Sequence, residues 1–344
     1  MKKIIYKFLC LVLTLGTLIG VPLRAEAIDF RVSTRLGELL FGSEESTVIL
    51  GGGVFGAKIL SERVTVKSSE ITKIHPGDII SEIDGKKITS AEQVWRIVSD
   101  SNGKPLEITV LRGKERLSVI VTPTLACSGY KIGLKIKDSA SGIGTITFID
   151  KATGKFGGLG HGICDSDTGE LIEICGGESC GVILGGVHRG DAGKPGELSG
   201  VLTSKIIGTI EKNTECGVFG RLSGVDYSDS EEIKIGSKDK LHTGEAEILC
   251  TVKNGYPRRY KVEITEICDG SSPTKSFKIK VTDQTLISLT GGIVRGMSGS
   301  PIIQDGKLVG AVTHVLVANP TEGYGIFIEN MLSAAQSEVI PKAA

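Results

Sequence analysis

Gly291-Gly-Ile-Val-Arg-Gly-Met-Ser-Gly-Ser-Pro301 sets one serine, Ser298, among glycines, and a strand-like run, Pro301-Ile-Ile-Gln-Asp-Gly-Lys-Leu-Val-Gly-Ala-Val312, follows at once. A serine hydroxyl is a weak nucleophile until its backbone is bent to expose it and a base takes its proton. Gly-x-Ser-Gly before a strand supplies the bend, because glycine tolerates backbone angles closed to other residues. Successive amides can then converge on one point. Where such a serine attacks a carbonyl, that point is the oxyanion hole, built from the serine amide and the amide two residues earlier. Here those amides belong to Ser298 and Gly296. The same tetrapeptide also occurs in hairpin turns without chemistry, so the rest of the chain must decide.

The chain has 344 residues, long enough for two domains, with 47 glycines and only 5% aromatics. Many glycines between short Val/Ile/Thr runs favour a mainly β chain rich in turns. Basic and acidic residues balance at 40 each. Outside residues 1–27, which carry Lys2, Lys3, Lys7, Arg24 and Glu26, 36 basic and 39 acidic residues remain. A slightly acidic protein has no basic face for nucleic acid. The first 27 residues read as an export signal or signal anchor. Lys2 and Lys3 precede an apolar run from Phe8 to Ile19, and Ala25-Glu26-Ala27 fits a small-x-small cleavage site. Cys10 lacks the preceding small residue of a lipoprotein signal. Seven cysteines follow, an odd number at spacings that match neither a disulfide framework nor a metal site, and most are read as small core residues. No metal or organic cofactor is expected.

Residues 28–47 read as a linker, and a compact unit is expected over 48–122. His75-Pro-Gly-Asp-Ile-Ile-Ser-Glu-Ile-Asp-Gly gives two short strands around an Asp84-Gly85 turn. Ser90 and Gln93 form a capping-box pattern, and Val94, Ile97 and Val98 give the helix they start one apolar face. Leu106–Leu111 and Leu117–Val121 alternate around Arg112-Gly-Lys-Glu as a hairpin. This order resembles a PDZ domain with a reduced first helix. In that family a Gly-rich loop binds a peptide carboxylate, and the peptide adds as a strand. The resemblance places the peptide-binding positions at Phe55, Gly56 and Ala57.

From residue 123 to the end, short strands at regular spacing argue for barrels or sandwiches, with one clear helix at Ile328–Gln336. A nucleophilic serine needs a base. Of five histidines, His161 stands between Gly160 and Gly162 at the end of a strand and can project into a cleft. His314, in an apolar strand, reads as a pocket-lining side chain. His75, His188 and His242 lie in polar turns and loops. The carboxylate that orients the imidazole is left open by spacing among Asp165, Asp226 and Asp283.

Phe156-Gly-Gly-Leu-Gly-His-Gly-Ile-Cys-Asp165, Thr290–Lys307, Gly310-Ala-Val-Thr-His-Val315 and Gly323-Tyr-Gly-Ile326 together resemble the stage IV sporulation protein B peptidases. The resemblance covers nearly the whole chain: leader, PDZ-like unit, then peptidase domain over 123–344. It implies a chymotrypsin-like double β-barrel with the active site between the barrels. It also implies a triad of His161 as base, Asp283 as orienting carboxylate and Ser298 as nucleophile. Members of the family are exported from the developing spore into the space between its two membranes. There they cut themselves and a membrane-bound regulator of an intramembrane protease, so that a late mother-cell sigma factor is activated. The PDZ-like unit is expected to hold substrate or a second copy of the chain. Two rival readings exist. An envelope quality-control protease of the HtrA type joins the same modules, but its PDZ units follow the protease. A non-catalytic binding scaffold would leave the Gly/Ser loops as turns.

Overall fold

Runs of valine, isoleucine and threonine broken by glycine become strands throughout the computed structural model, which describes residues 46–227, 230–253 and 255–337. The expected leader and nearly all of the expected linker lie outside the described residues. The chain opens with β1 (Thr47–Leu50) and the long β2 (Val54–Ser69). Next come β3 (Ile79–Ile83), β4 (Lys86–Lys87), α1 (Ala91–Asp100), β5 (Leu106–Arg112), β6 (Glu115–Val121), β7 (Thr124–Ala126) and β8 (Gly129–Lys131). A second long strand, β9 (Leu134–Ile149), leads to β10 (Lys155–Gly158), β11 (Gly176–His188), β12 (Glu197–Thr214), β13 (Gly217–Leu222) and β14 (Glu232–Ile235). The remainder is β15 (Gly244–Cys250), β16 (Arg258–Ile267), β17 (Phe277–Val281), α2 (Gln284–Thr290), β18 (Pro301–Gln304), β19 (Lys307–Val315), β20 (Glu322–Phe327) and α3 (Ile328–Gln336).

Strand pairing closes two rings. In the first, β2 pairs with β9, β9 with β10, β10 with β13, β13 with β12, β12 with β11, and β11 returns to β2. In the second, β15, β16, β17, β20, β19 and β18 pair in turn, and β18 returns to β15. If the six strands of each ring are counted in chain order, both close as first, second, third, sixth, fifth, fourth. Two six-stranded barrels of one topology therefore follow one another, although no internal repeat is legible in the residues. Closure leaves neither barrel a free edge.

Each barrel has its own apolar centre. Phe55, Ile59, Ile146, Phe156 and Ile210 fill the first. Ile248, Ile264, Phe277, Ile279 and Ile302 fill the second. Between them Val48, Phe148 and Phe219 share a cluster with Ile303, Leu308 and Ile326. Helix α3 closes this seam with Ile328, Met331 and Leu332, the i, i+3, i+4 stripe of an amphipathic helix.

The boundary of the PDZ-like unit differs from the expected 48–122. Strand β2 pairs with β9 at Val54–Leu60 against Ser139–Thr145 inside the barrel, and again at Thr65–Ser69 against Leu134–Lys137. Residues 61–64 stand opposite the single Asp138, a bulge that bends the pair as it leaves the barrel. The PDZ-like unit is thus an insertion in the first hairpin of the first barrel. Its core runs from Val64 through Ile80, Val94, Val98 and Ile108 to Leu134, so strand residues on both sides of it belong to the peptidase domain. Continuous β patterning across both crossings hid the junction. Within the unit, Asp84 and Gly85 are both left-handed, as the hairpin turn requires, and the Ser90 side chain caps α1.

The same register corrects the expected peptide-binding positions. Phe55, Gly56 and Ala57 lie in β2 inside the barrel, paired with Gly144, Ile143 and Gly142 on one side. On the other side Gly56 and Ala57 pair with Cys180 and Ser179. Phe55 is fully buried, edge-on to Phe156 at 5.5 Å. A stretch bonded along both edges has no amides to offer a peptide carboxylate. The cysteines also divide differently: Cys180 and Cys250 are buried, whereas Cys127, Cys164 and Cys175 are exposed.

This nesting makes a direct prediction. Joining Leu60 to Ser139 through an Asn-Gly turn, with residues 61–138 removed, should leave a folded barrel protein with a cooperative thermal transition. Removing 48–122 should not, because it takes out the first barrel's opening strand. Circular dichroism melts of the two variants check it.

Candidate active site

Ser298 sits on the turn between α2 and β18, and that turn is fastened to the opposite barrel. Thr145, fully buried on β9, donates its amide to the Ser298 carbonyl at 2.9 Å and its hydroxyl to the Gly296 carbonyl at 2.9 Å. Thr147 donates its hydroxyl to the Gly299 carbonyl at 2.7 Å. Gly296 and Gly299 have φ of 97° and 93°, and a Cβ on Gly299 would lie 2.1 Å from the Thr145 carbonyl oxygen. Only glycine fits there. With the carbonyls held toward the first barrel, the amides alternate. Those of Arg295, Met297, Gly299 and Ser300 donate to backbone carbonyls. Among the described residues, no acceptor takes the amides of Gly296 and Ser298. These are the two amides an oxyanion hole needs.

His161 comes from the first barrel. Leu159 and Gly160 are both left-handed, at φ of 66° and 67°, so the chain turns sharply at the end of β10. The Leu159 amide donates to the Thr145 carbonyl, and Gly160 packs against the side chain of Thr313. The half-buried ring of His161 lies 5.3 Å, centroid to centroid, from that of His314. Its Nδ1 is 2.9 Å from the Gly162 carbonyl oxygen. A carbonyl only accepts, so Nδ1 carries the hydrogen and Nε2 is left to take a proton. Burial holds the His161 pKa below the ordinary imidazole value, against the upward pull of that carbonyl. Burial, aided by the charges of His161 and Lys275, pushes His314 down to about 4.

Ser298 and His161 are not bonded to one another here. The Ser298 hydroxyl donates to the Thr313 carbonyl at 3.0 Å. The next residue, His314, lines with His161 a cleft of about 840 Å³ that also exposes Arg295, Ile143 and Thr274. Catalytic hydrogen bonds are often long or misaligned without substrate and tighten in the complex.

Asp283 is elsewhere. It caps α2, accepting from the amides of Thr285 and Leu286 through Oδ1 and of Lys261 through Oδ2. It stands just after the end of β17 and starts the next helix, with Asp at the N-cap position it favours. No hydrogen bond or ion pair joins it to His161 among the described residues. Asp165 holds a turn through the amides of Asp167 and Thr168 and pairs with Lys137. The carboxylate that does share the His161 cleft is Glu215, which sequence reasoning passed over. It stands in the tight turn between β12 and β13, beside the Thr214 carbonyl that abuts Gly162. Nothing local in Thr214-Glu-Cys-Gly217 marks it. Its place follows from the ring order, which brings that turn next to the end of β10.

Comparison with known proteins identifies the family. Residues 128–332 match the SpoIVB peptidase S55 family, and the chain belongs to that family. An 83-residue segment is 34% identical to a protein of Agrobacterium fabrum named provisionally as a zinc metalloprotease, Atu1380. The segment is 24% of this chain and 21% of that protein, so the chain spans about a fifth of the relative's length. Among solved structures, the PDZ domain of the SdrC-like protein Lmo2051 from Listeria monocytogenes is 22% identical, with a TM-score of 0.19. That match covers 23% of this chain and 87% of the domain. The Rv3671c protease in its inactive form is 12% identical with a TM-score of 0.34, covering 57% of this chain and 85% of that one.

The cap assignment can be checked directly. Asp283→Ala should cost about 1 kcal/mol in denaturant unfolding and Asp283→Asn a few tenths, because asparagine caps as well as aspartate. Cleavage per folded molecule should be alike in the two. An asparagine variant with the roughly 10⁴-fold defect of a lost triad carboxylate would place Asp283 beside His161 during catalysis.

Proposed function

We propose that this chain is an exported serine endopeptidase of spore formation, with Ser298 as nucleophile and His161 as general base. The observation that carries the reading is the pair of unpaired amides at Gly296 and Ser298, on a turn pinned against the histidine's own turn. A rotation of the Ser298 side chain takes its hydroxyl from the Thr313 carbonyl to Nε2 of His161. The oxygen attacks a peptide carbonyl as Nε2 takes the proton, and the developing oxyanion meets the two amides. Nε2 then protonates the leaving amine. Water reverses the sequence on the acyl-enzyme and restores Ser298. Glu215 lines the same cleft.

The substrates proposed are a second copy of the chain and a membrane-bound regulator of an intramembrane protease, cut in the space between the two spore membranes. The charged and apolar leader supports export. The PDZ-like unit supports substrate capture at a site other than the one expected. Residues Leu134–Lys137 of β9 pair with β2 along one edge only, α1 packs beside them, and Gly133 before them is left-handed. A peptide strand adds there, between β9 and α1.

Protein expressed from residue 28, incubated beside its Ser298→Ala variant and followed by mass spectrometry, tests the activity. Fragments should form from the wild type at least roughly 10³-fold faster than from the variant. Equal fragmentation rejects Ser298 as nucleophile. The pH dependence gives a second check. His161 is a base only when neutral, so kcat/KM should rise with pH along a limb centred below about 6.5 and be level by neutrality. A limb centred above about 6.5 contradicts the assignment of His161 as the base.

A further inference from the structure

The loop that follows His161 is gripped by the neck of the inserted unit. Its stem is a small finger. Cys164 bridges Leu171, and the Asn213 side chain takes the Ile163 amide and donates to the Ile163 and Ile172 carbonyls. Its tip, residues 165–170, turns on the Asp165 side chain. The strands that carry the PDZ-like unit reach this tip at the point where they leave the barrel. Lys137 on β9 sits between Asp165 at 3.0 Å and Asp167 at 2.7 Å. Arg63 on β2 pairs with Glu173 at 2.9 Å and reaches Glu170 at 3.7 Å. The Arg63 pairs are exposed and contribute little. The Lys137 pair is shielded, with the lysine 18% and Asp165 14% exposed, and removing its ammonium leaves two partly buried carboxylates facing one another. The next residue, Asp138, accepts the first amide of α1 at 2.8 Å. An unbroken chain of contacts therefore runs from α1 through Asp138 and Lys137 to a loop tip four residues from His161.

We propose that Lys137 is a positioning residue, which through Asp165 and Asp167 sets the loop carrying His161 and so couples the PDZ-like unit to the rate of cleavage. This rests on the peptidase reading above, and its test separates the two.

In the chain from residue 28, Lys137→Met should lower kcat roughly 10-fold with KM within twofold, the scale of coupling energies carried by such networks. Lys137→Arg should restore most of the loss. Combining Lys137→Met with Asp165→Asn and Asp167→Asn should be no slower than Lys137→Met alone, since residues acting as one unit are not additive. If Lys137→Met does not fold, the triple variant, free of unpaired carboxylates, carries the same comparison. A kcat within twofold of wild type in folded Lys137→Met, or in the triple variant where Lys137→Met does not fold, overturns the proposal, and so does an arginine variant as slow as methionine. The His161 ring resonance, titrated by NMR, reads the same effect without turnover. If wild type shows no Ser298-dependent cleavage, the peptidase reading fails. A shifted titration in Lys137→Met still supports the positioning role, and an unchanged one rejects it.

Discussion

One buried threonine joins the two halves of the site. Thr145 uses its amide on the Ser298 carbonyl, its hydroxyl on the Gly296 carbonyl and its own carbonyl on the Leu159 amide. The first two bonds set the turn that bears Ser298, and the third sets the turn that delivers His161. These groups come from different barrels, so their relative placement depends on a contact across the seam. Each bond contributes about 1 kcal/mol net, but a buried partner left unmade costs more. With the Gly296, Ser298 and Gly299 carbonyls each satisfied by Thr145 or Thr147, the Gly296 and Ser298 amides remain without an acceptor among the described residues.

The inserted unit follows from the same architecture. A hairpin between the first two strands of a barrel can be lengthened without disturbing the ring, provided its two strands stay paired as they leave. Here they do, across a four-against-one bulge, so the unit is held by two chain crossings. That makes it more than an appendage on a linker. Its neck lies against the loop after His161, and the second cleft, of about 400 Å³, is bounded by Arg63, Lys137, Asp165 and Glu170 between them.

Much of this was legible in the residues, for reasons that differ by element. The Asp84-Gly85 turn, the Ser90 cap and the stripe on α3 are local signals, and each forms where its chemistry demands. The sharp turns at Ser298 and His161 were legible because each is written in neighbouring glycines. What failed was long-range. Phe55-Gly-Ala57 looks like a peptide-binding loop until its two strand partners, about ninety and one hundred and twenty residues away, are known. Asp283 had a local signal as well, an N-cap before Leu286 and Ile287, which lost to the expectation of a triad. Glu215 had none, since only closure of the first ring sets it beside Gly162.

The resting hydrogen bond of Ser298 bears on how the site works. Its hydroxyl is held by a neutral carbonyl, an interaction worth about 1 kcal/mol net, so only a weak bond holds it in this rotamer. The imidazole side is arranged to match. Nδ1 of His314 is buried without a partner among the described residues, which suits a neutral ring with its hydrogen on Nε2. A charged His314 beside His161 would oppose uptake of the serine proton, and burial prevents that charge at neutral pH. The second histidine thus lines the cleft beside His161 with an uncharged face.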